Sequence, residues 1–271
     1  MLDWIGYSLR IDLSKSAVRV VRVSRSRRSR ISVVNESKLS APIDTAQHLT
    51  EALHAALSGI DVRSRWISIV LADEWVRYFS VASPVNMTRL ADCKAVAALR
   101  FQRLYDLSAT DWHIEATWSA NQHFLACAVP RWLIEALTDF ATQRKSHLIG
   151  IVPQFVDAWN QWRAQVAPDS WFGLAHHGRI TFSALQGRRP VDAETIFLAS
   201  KDSGNSSWLE GQLKRNALLQ GRAVPTRFYL CGGQELAWTT SPDDTFQVIR
   251  LDSREALDIA SPQSVLPAMQ G

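Results

Sequence analysis

Tyr7 to Leu13 alternates apolar and polar positions, which predicts a half-buried strand. Ser16 to Val23 predicts a second strand, with Ala17, Val18, Val20, Val21 and Val23 apolar. Arg25 to Arg30 is a polar turn, and Ile31 to Val34 opens a third strand. Three strands joined by short turns predict an antiparallel meander. Asp44 and Gln47 have the spacing of a capping box. The helix they open carries Ala46, Leu49, Leu53, Ala56 and Leu57 on one face, and Gly59 supplies a left-handed stop. Trp66 to Leu71 is a short apolar strand, and Trp75 to Val81, closed by Pro84, is another.

A helix follows from about Thr88 to Tyr105, with Leu90, Ala97, Phe101 and Leu104 on one side. Strands are predicted near Trp112 to Trp118 and His123 to Val129. A helix after Pro130 carries Leu133, Ala136, Leu137 and Phe140, then a strand covers His147 to Val152 and a helix Phe155 to Gln165. Beyond Ala167 to Ser170 the order begins again. Trp171 to Ala175 and Arg179 to Leu185 pair across His177-Gly178, and a third strand lies near Thr195 to Ala199. Ser207 and Glu210 repeat the capping-box spacing for a helix that ends at Gly221. Arg227 to Leu230 is a strand running into Cys231-Gly232-Gly233, and Phe246 to Leu251 is the last. The succession of three strands, a helix and a strand is thus stated twice, without a repeat at the level of residues. The division it predicts is lobe one over 1–166, interrupted by a subdomain at about 75–129, and lobe two over 167–271.

The bulk properties narrow the function classes. The chain has 271 residues, 46% hydrophobic and 21% charged, enough for two lobes with their own cores. A net charge of +4 is concentrated largely in one run, Arg22 to Arg30. A nucleic-acid binder distributes cations along several elements and interleaves aromatics for stacking, and neither holds here. Cys93, Cys127 and Cys231 are odd in number and widely spaced, against a disulfide framework or a zinc site. No apolar run reaches the ~18 residues of a membrane span, and Met1 to Leu9 does not read as a signal peptide. Of the 11 tryptophans, Trp66, Trp112, Trp132 and Trp171 are expected in the core, and Trp75 and Trp118 partly at the surface.

The segment Ile11-Asp12-Leu13-Ser14-Lys15-Ser16-Ala17-Val18 resembles the first phosphate turn of the pilus assembly protein PilM. Ile67 to Phe79 resembles the strand and following Val-Arg-Tyr of PilM-like proteins and of GspL, their relative in type II secretion. Trp112, Leu125 to Ala128 and Ile151-Val152-Pro153 sit where those relatives place similar residues, and Tyr229 to Gly233 resembles an adenosine turn. The resemblance covers most of the chain in order. It implies an α/β, two-lobed actin-like (ribonuclease H-like) fold with an inserted α+β subdomain in lobe one. It also implies a scaffold in the bacterial cytoplasm, peripheral to the inner membrane, in a type IV pilus or type II-like secretion machine.

The departures from that pattern shape the expected chemistry. Ser14 replaces a glycine, Lys15 is bulky, and the lobe-two hairpin reads His176-His177-Gly178 where an Asp-x-Gly belongs. A triphosphate with magnesium then loses an oxygen ligand that histidine does not replace. The expectation is a vestigial cofactor site at Asp12, Ser14, Lys15, Gly232 and Gly233, with no cofactor and no catalytic residue. Asp12 is read either as a water-mediated magnesium ligand or as a cap on its turn. The alternative function is a nucleotide-dependent switch that binds ATP and magnesium weakly. No Walker loop, Gly-x-Ser-x-Gly elbow or His-Glu-x-x-His motif occurs. By resemblance, the partner is the cytoplasmic segment of a PilN-like inner-membrane protein, with an assembly ATPase as a further candidate. Arg77, Tyr78, Phe79, Arg100 and Phe101 are expected to line the groove. Arg25, Arg27, Arg28 and Arg30 are either a solvated turn or a contact for anionic lipid, worth roughly 1 kcal/mol per basic residue.

Overall fold

A computed structural model describes residues 7–24, 31–82, 89–119, 122–199, 205–233, 238 and 245–251. The predicted meander forms as β1 (Tyr7–Leu13), β2 (Ala17–Ser24) and β3 (Ile31–Lys38), all antiparallel. Alternation along β1 buries Leu9, Ile11 and Leu13 on one face and turns Arg10 and Asp12 to the other. Helix α1 (Ala46–Ala56) packs Leu49, Leu53 and Ala56 into the core beneath this sheet. Its cap is Thr45, which accepts from His48 N–H, one residue beyond the expected Asp44. Asp44 instead pairs with His48 at 2.7 Å, and Gln47 bonds Glu51. β4 (Trp66–Leu71) joins β1 in parallel.

A single 3₁₀ turn, Asp73–Trp75, follows and takes the start of the strand expected over Trp75 to Val81, so that β5 is only Arg77–Val81. β5, β6 (Trp112–Ala116) and β7 (Phe124–Pro130) make a separate antiparallel sheet in the order β5-β7-β6. Helix α2 (Leu90–Tyr105) covers it with a narrow stripe, Cys93, Ala97 and Phe101, packed against Phe79, Val81 and Phe124. Leu90 and Leu104, expected in that stripe, are exposed because they lie at its ends. The chain returns through α3 (Arg131–Gln143) to β8 (His147–Pro153), which completes a five-stranded sheet in the order β3-β2-β1-β4-β8.

Helix α4 (Gln154–Trp162) then carries the chain from one large sheet to the other. Its Phe155 and Trp159 meet Phe172 on β9 (Trp171–His176). β10 (Arg179–Gln186) pairs with β9, and the short β11 (Arg189–Pro190) and β12 (Glu194–Phe197) both pair with β10. Helix α5 (Ser206–Leu219) is capped by Asn205 accepting from Trp208 N–H, not by the Ser207–Glu210 pair. β13 (Arg227–Gly232) and β14 (Gln247–Leu251) add to β9 in parallel succession. One core runs without a break from Leu9, Ile11 and Phe140 to Phe172, Tyr229 and Leu251, so the two sheets share buried surface through α4.

The tryptophan expectations divide. Trp171 is buried as expected, but Trp66 is 46% exposed and Trp75 only 4%. Trp66 opens β4 on the sheet's outer end, whereas the 3₁₀ turn drives Trp75 inward against Trp132. Trp112, Trp132 and Trp118 are half-buried.

Gly173 allows the Phe228 ring to lie across β9, since a Cβ there would sit 2.3 Å from Cζ of that ring. Gly173→Ala should therefore cost about 1–3 kcal/mol in urea unfolding. Combined with Phe228→Leu, it should cost less than the two single changes added together. Unchanged stability in Gly173→Ala would contradict this packing.

Candidate functional site

The sequence points to the turn between β1 and β2, and its hydrogen bonds are closed on themselves. Ser14 N–H donates to Ala17 O at 2.9 Å. Ser14 Oγ accepts from Ser16 N–H at 3.3 Å and from Ala17 N–H at 2.8 Å. The same hydroxyl reaches Ala17 O at 3.1 Å, and Ser14 is buried. Serine side chains compete for nearby amides in this way wherever a glycine would leave them open. The remaining amide, Lys15 N–H, donates to Glu74 Oε1. All four N–H groups from Ser14 to Ala17 thus have oxygen partners within the protein.

Asp12 does not cap its turn. It lies on the α4 side of β1 and accepts from Arg10 Nε at 2.6 Å, while Arg10 Nη1 bonds Asp157 of α4 at 2.8 Å. A guanidinium fork between two carboxylates fixes both in place and neutralises charge that a cation would otherwise use. Lys15 turns its ammonium over the Trp75 ring, 5.2 Å from the centroid.

The other side of the cleft is the β9–β10 hairpin. His177 and Gly178 both take positive φ, 47° and 66°, as a tight two-residue turn requires. The rings of His176 and His177 lie 3.9 Å apart at the turn, and no cluster of three His, Cys, Asp or Glu side chains suited to a metal exists among the described residues. Arg179 approaches Glu74, Nη2 to Oε2 at 4.0 Å. Between the 73–75 turn and this hairpin lies a small opening of about 20 Å3, room for a water or two. Asp73, Glu74, Gln154, His177, Arg179 and Thr181 are among the residues that line it.

Gly232 and Gly233 stand at the end of β13 with φ of 71° and 56°. Arg250 Nη2 donates to both of their carbonyls, at 3.1 and 2.8 Å. A Cβ at Gly232 would lie 2.3 Å from Ala175 O. The pair therefore serves a close approach of two strands, and its carbonyls are held by the protein's own arginine.

The 73–75 turn is the element that sequence reading passed over. Asp73 Oδ1 accepts from Tyr78 Oη at 2.7 Å and from Phe155 N–H, on the first turn of α4, at 3.1 Å. Thr181, on β10, lines the same small opening as Asp73, its hydroxyl 2.9 Å from that of Thr195. Burial pushes the Asp73 carboxyl pKa up, and the bonds from Tyr78 and Phe155 N–H oppose that shift. One carboxylate therefore joins the inserted subdomain and α4. No local signal marks it, because its partners lie as far as 82 positions away.

The residues expected to line a partner groove separate into two groups. Tyr78, Phe79 and Phe101 are buried at 6%, 3% and 0%, as core of lobe one and of the inserted subdomain, and present no surface. Large aromatics on a two-faced layer bury first, which the sequence pattern alone does not separate from exposed anchors. Arg77 and Arg100 are exposed. Arg77 lies over the Trp112 ring at 5.9 Å, and Arg100 Nε reaches Ser80 O at 3.4 Å. Arg25, Arg27, Arg28 and Arg30 fall outside the described residues.

No family model and no curated protein sequence matches the chain. Solved structures do. The cytoplasmic domain of EpsL, an inner-membrane component of the type II secretion system of Vibrio cholerae, aligns over 83% of this chain and 81% of its own. Its TM-score is 0.53 and its identity 13%. The PilM–PilN type IV pilus biogenesis complex aligns over 92% of this chain and 89% of that one, at a TM-score of 0.60 and 14% identity. A Bacteroides thetaiotaomicron protein of actin-like ATPase fold and unknown function covers 93% and 94%, with a TM-score of 0.57 and 12% identity. The chain has the two-lobed actin-like fold, and at these identities the likeness is one of fold.

The Asp73 junction carries a pH signature. A carboxyl whose folded pKa is raised binds its proton more readily folded than unfolded. Its contribution is full below the ordinary carboxylate range, about pH 4, and is lost as pH rises through the higher folded value. Asp73→Asn retains an acceptor without the titration. The stability of the natural protein relative to Asp73→Asn should therefore decline with rising pH from about 4 upward, then level off. Urea unfolding across a pH series measures this, and a difference that grows with pH contradicts it. Asp73→Ala should cost about 2–4 kcal/mol, because Tyr78 Oη and Phe155 N–H lose their buried acceptor.

Proposed function

We propose that this chain is a non-catalytic scaffold of an inner-membrane assembly platform in a bacterial type IV pilus or type II-like secretion machine. On this reading it binds the cytoplasmic segment of a membrane protein and hydrolyses nothing. The observation that carries the reading is the β1–β2 turn, whose four amides are all bonded within the protein. Backbone amides of such turns are what an actin-like cleft offers to phosphates. A turn already satisfied by Ser14 and Glu74 has little to gain from a triphosphate, and Asp12 is engaged by Arg10. The fold neighbours support the setting, since their names place EpsL in a secretion system and PilM with PilN in pilus biogenesis. No helix among the described residues is long and apolar enough to cross a membrane, so on this reading the membrane connection comes through a partner.

The inserted subdomain supplies the docking face. Arg77 and Arg100 are exposed there on a rigid layer of three strands and α2. Two guanidiniums on one face suit a segment with acidic side chains, and the buried aromatics beneath keep the layer from rearranging. A single short segment pays an ordering cost on docking, so the affinity of one copy is modest.

Calorimetric titration with ATP and magnesium at millimolar concentration should give no saturable heat from the folded protein, and saturable binding would favour the nucleotide switch instead. Synthetic cytoplasmic segments of the same bacterium's pilus and secretion membrane proteins, followed by fluorescence anisotropy, should include one that binds. Arg77→Glu with Arg100→Glu should weaken that binding by about tenfold with the fold intact. Binding that ignores both charges would place the groove elsewhere.

A further inference from the structure

Glu74 stands between two groups that bind anions. One carboxylate oxygen accepts from Lys15 N–H in the β1–β2 turn, and the other lies 4.0 Å from Arg179 on the opposite lobe. The side chain is only 20% exposed. The backbone that carries it is pinned on both sides. Asp73 is tied to Tyr78 and to α4, and Trp75 is packed against Trp132 with Lys15 over its ring. A freely moving surface glutamate would sample many rotamers, whereas this one is delivered to a fixed place by its neighbours.

We propose that Glu74 is a built-in anion. It fills the position that an external phosphoryl group would take against the Lys15 amide and Arg179, and it thereby holds the two lobes closed. In a cleft of this kind an external anion joins the two sides, and an internal carboxylate that accepts from the Lys15 amide and faces the Arg179 guanidinium at 4.0 Å makes the closed state independent of any ligand. The same contact makes the cleft sensitive to the inserted subdomain, because the 73–75 turn leads directly into β5. This inference concerns what keeps the cleft shut and goes beyond the scaffold reading. Its test contains no partner, so its failure leaves that reading standing.

Pyrophosphate is the probe, titrated calorimetrically into the full chain, Glu74→Gln and Glu74→Ala. Glutamine keeps an acceptor for the Lys15 amide and loses the charge, while alanine loses both. Pyrophosphate should bind Glu74→Ala at least about tenfold more tightly than the natural protein, with Glu74→Gln between them. Amide exchange at Lys15 should speed up in Glu74→Ala and stay slow in Glu74→Gln. Equal binding in all three proteins, or none in folded Glu74→Ala, overturns the proposal. Where the alanine variant fails to fold, the glutamine variant decides, since it must bind pyrophosphate more tightly than the natural protein does.

Discussion

A carboxylate inside the protein, on the first residue of a three-residue turn, sets the positions of almost everything around the cleft. Asp73 is 7% exposed. Burying it without partners would cost several kcal/mol, so its bonds to Tyr78 Oη and Phe155 N–H are conditions for the fold to exist in this form. Each bond brings a different part of the chain to the same point: the inserted subdomain through Tyr78 and the connecting helix through Phe155. The bond to Phe155 also satisfies an orphan amide of α4, whose own cap residue, Pro153, makes no side-chain cap bond. With α4 oriented, Phe155 and Trp159 reach Phe172, and the core becomes continuous between the sheets.

The cleft follows from that arrangement. Once Asp73 is fixed, Glu74 points to the β1–β2 turn and Trp75 goes inward beneath Lys15. The β1–β2 turn is closed by Ser14 from within and by Glu74 from outside. The Gly232-Gly233 end of β13 remains glycine for a packing reason, its approach to Ala175, and Arg250 takes its carbonyls. The β1–β2 turn and the end of β13 are thus both occupied by groups of the protein itself.

Much of the fold was legible because its signals are local. The alternation of Leu9, Ile11 and Leu13, the His177-Gly178 turn and the apolar stripe of α1 each depend on neighbours within a few positions. The helix starts were found, but the caps were displaced. Thr45 and Asn205 outcompeted the Asp44–Gln47 and Ser207–Glu210 pairs, which carry the right spacing a residue or two away. The site was less legible. Asp12, Lys15 and the glycines could be placed, yet Asp12 is taken by Arg10 two positions away, and the Lys15 amide and the Gly232 carbonyl are taken by Glu74 and Arg250 through contacts of longer separation. The Asp73-Glu74-Trp75 turn has no pattern of its own, and Trp75 reads as the start of the strand that follows. Tyr78, Phe79 and Phe101 have the residue types of anchors on a surface and of filling in a core, and the narrow stripe of α2 uses Phe101 as filling.

Residue-resolved hydrogen exchange at Lys15, Ser16 and Ala17, with and without millimolar ATP and magnesium, tests the central claim most directly. Amides bonded within the protein exchange only through opening of the structure. The account predicts slow exchange at all three positions without ligand and no further slowing when ATP and magnesium are added. Rapid exchange in the free protein that becomes slow with ATP would mean that the turn stands open for phosphate, and would contradict it.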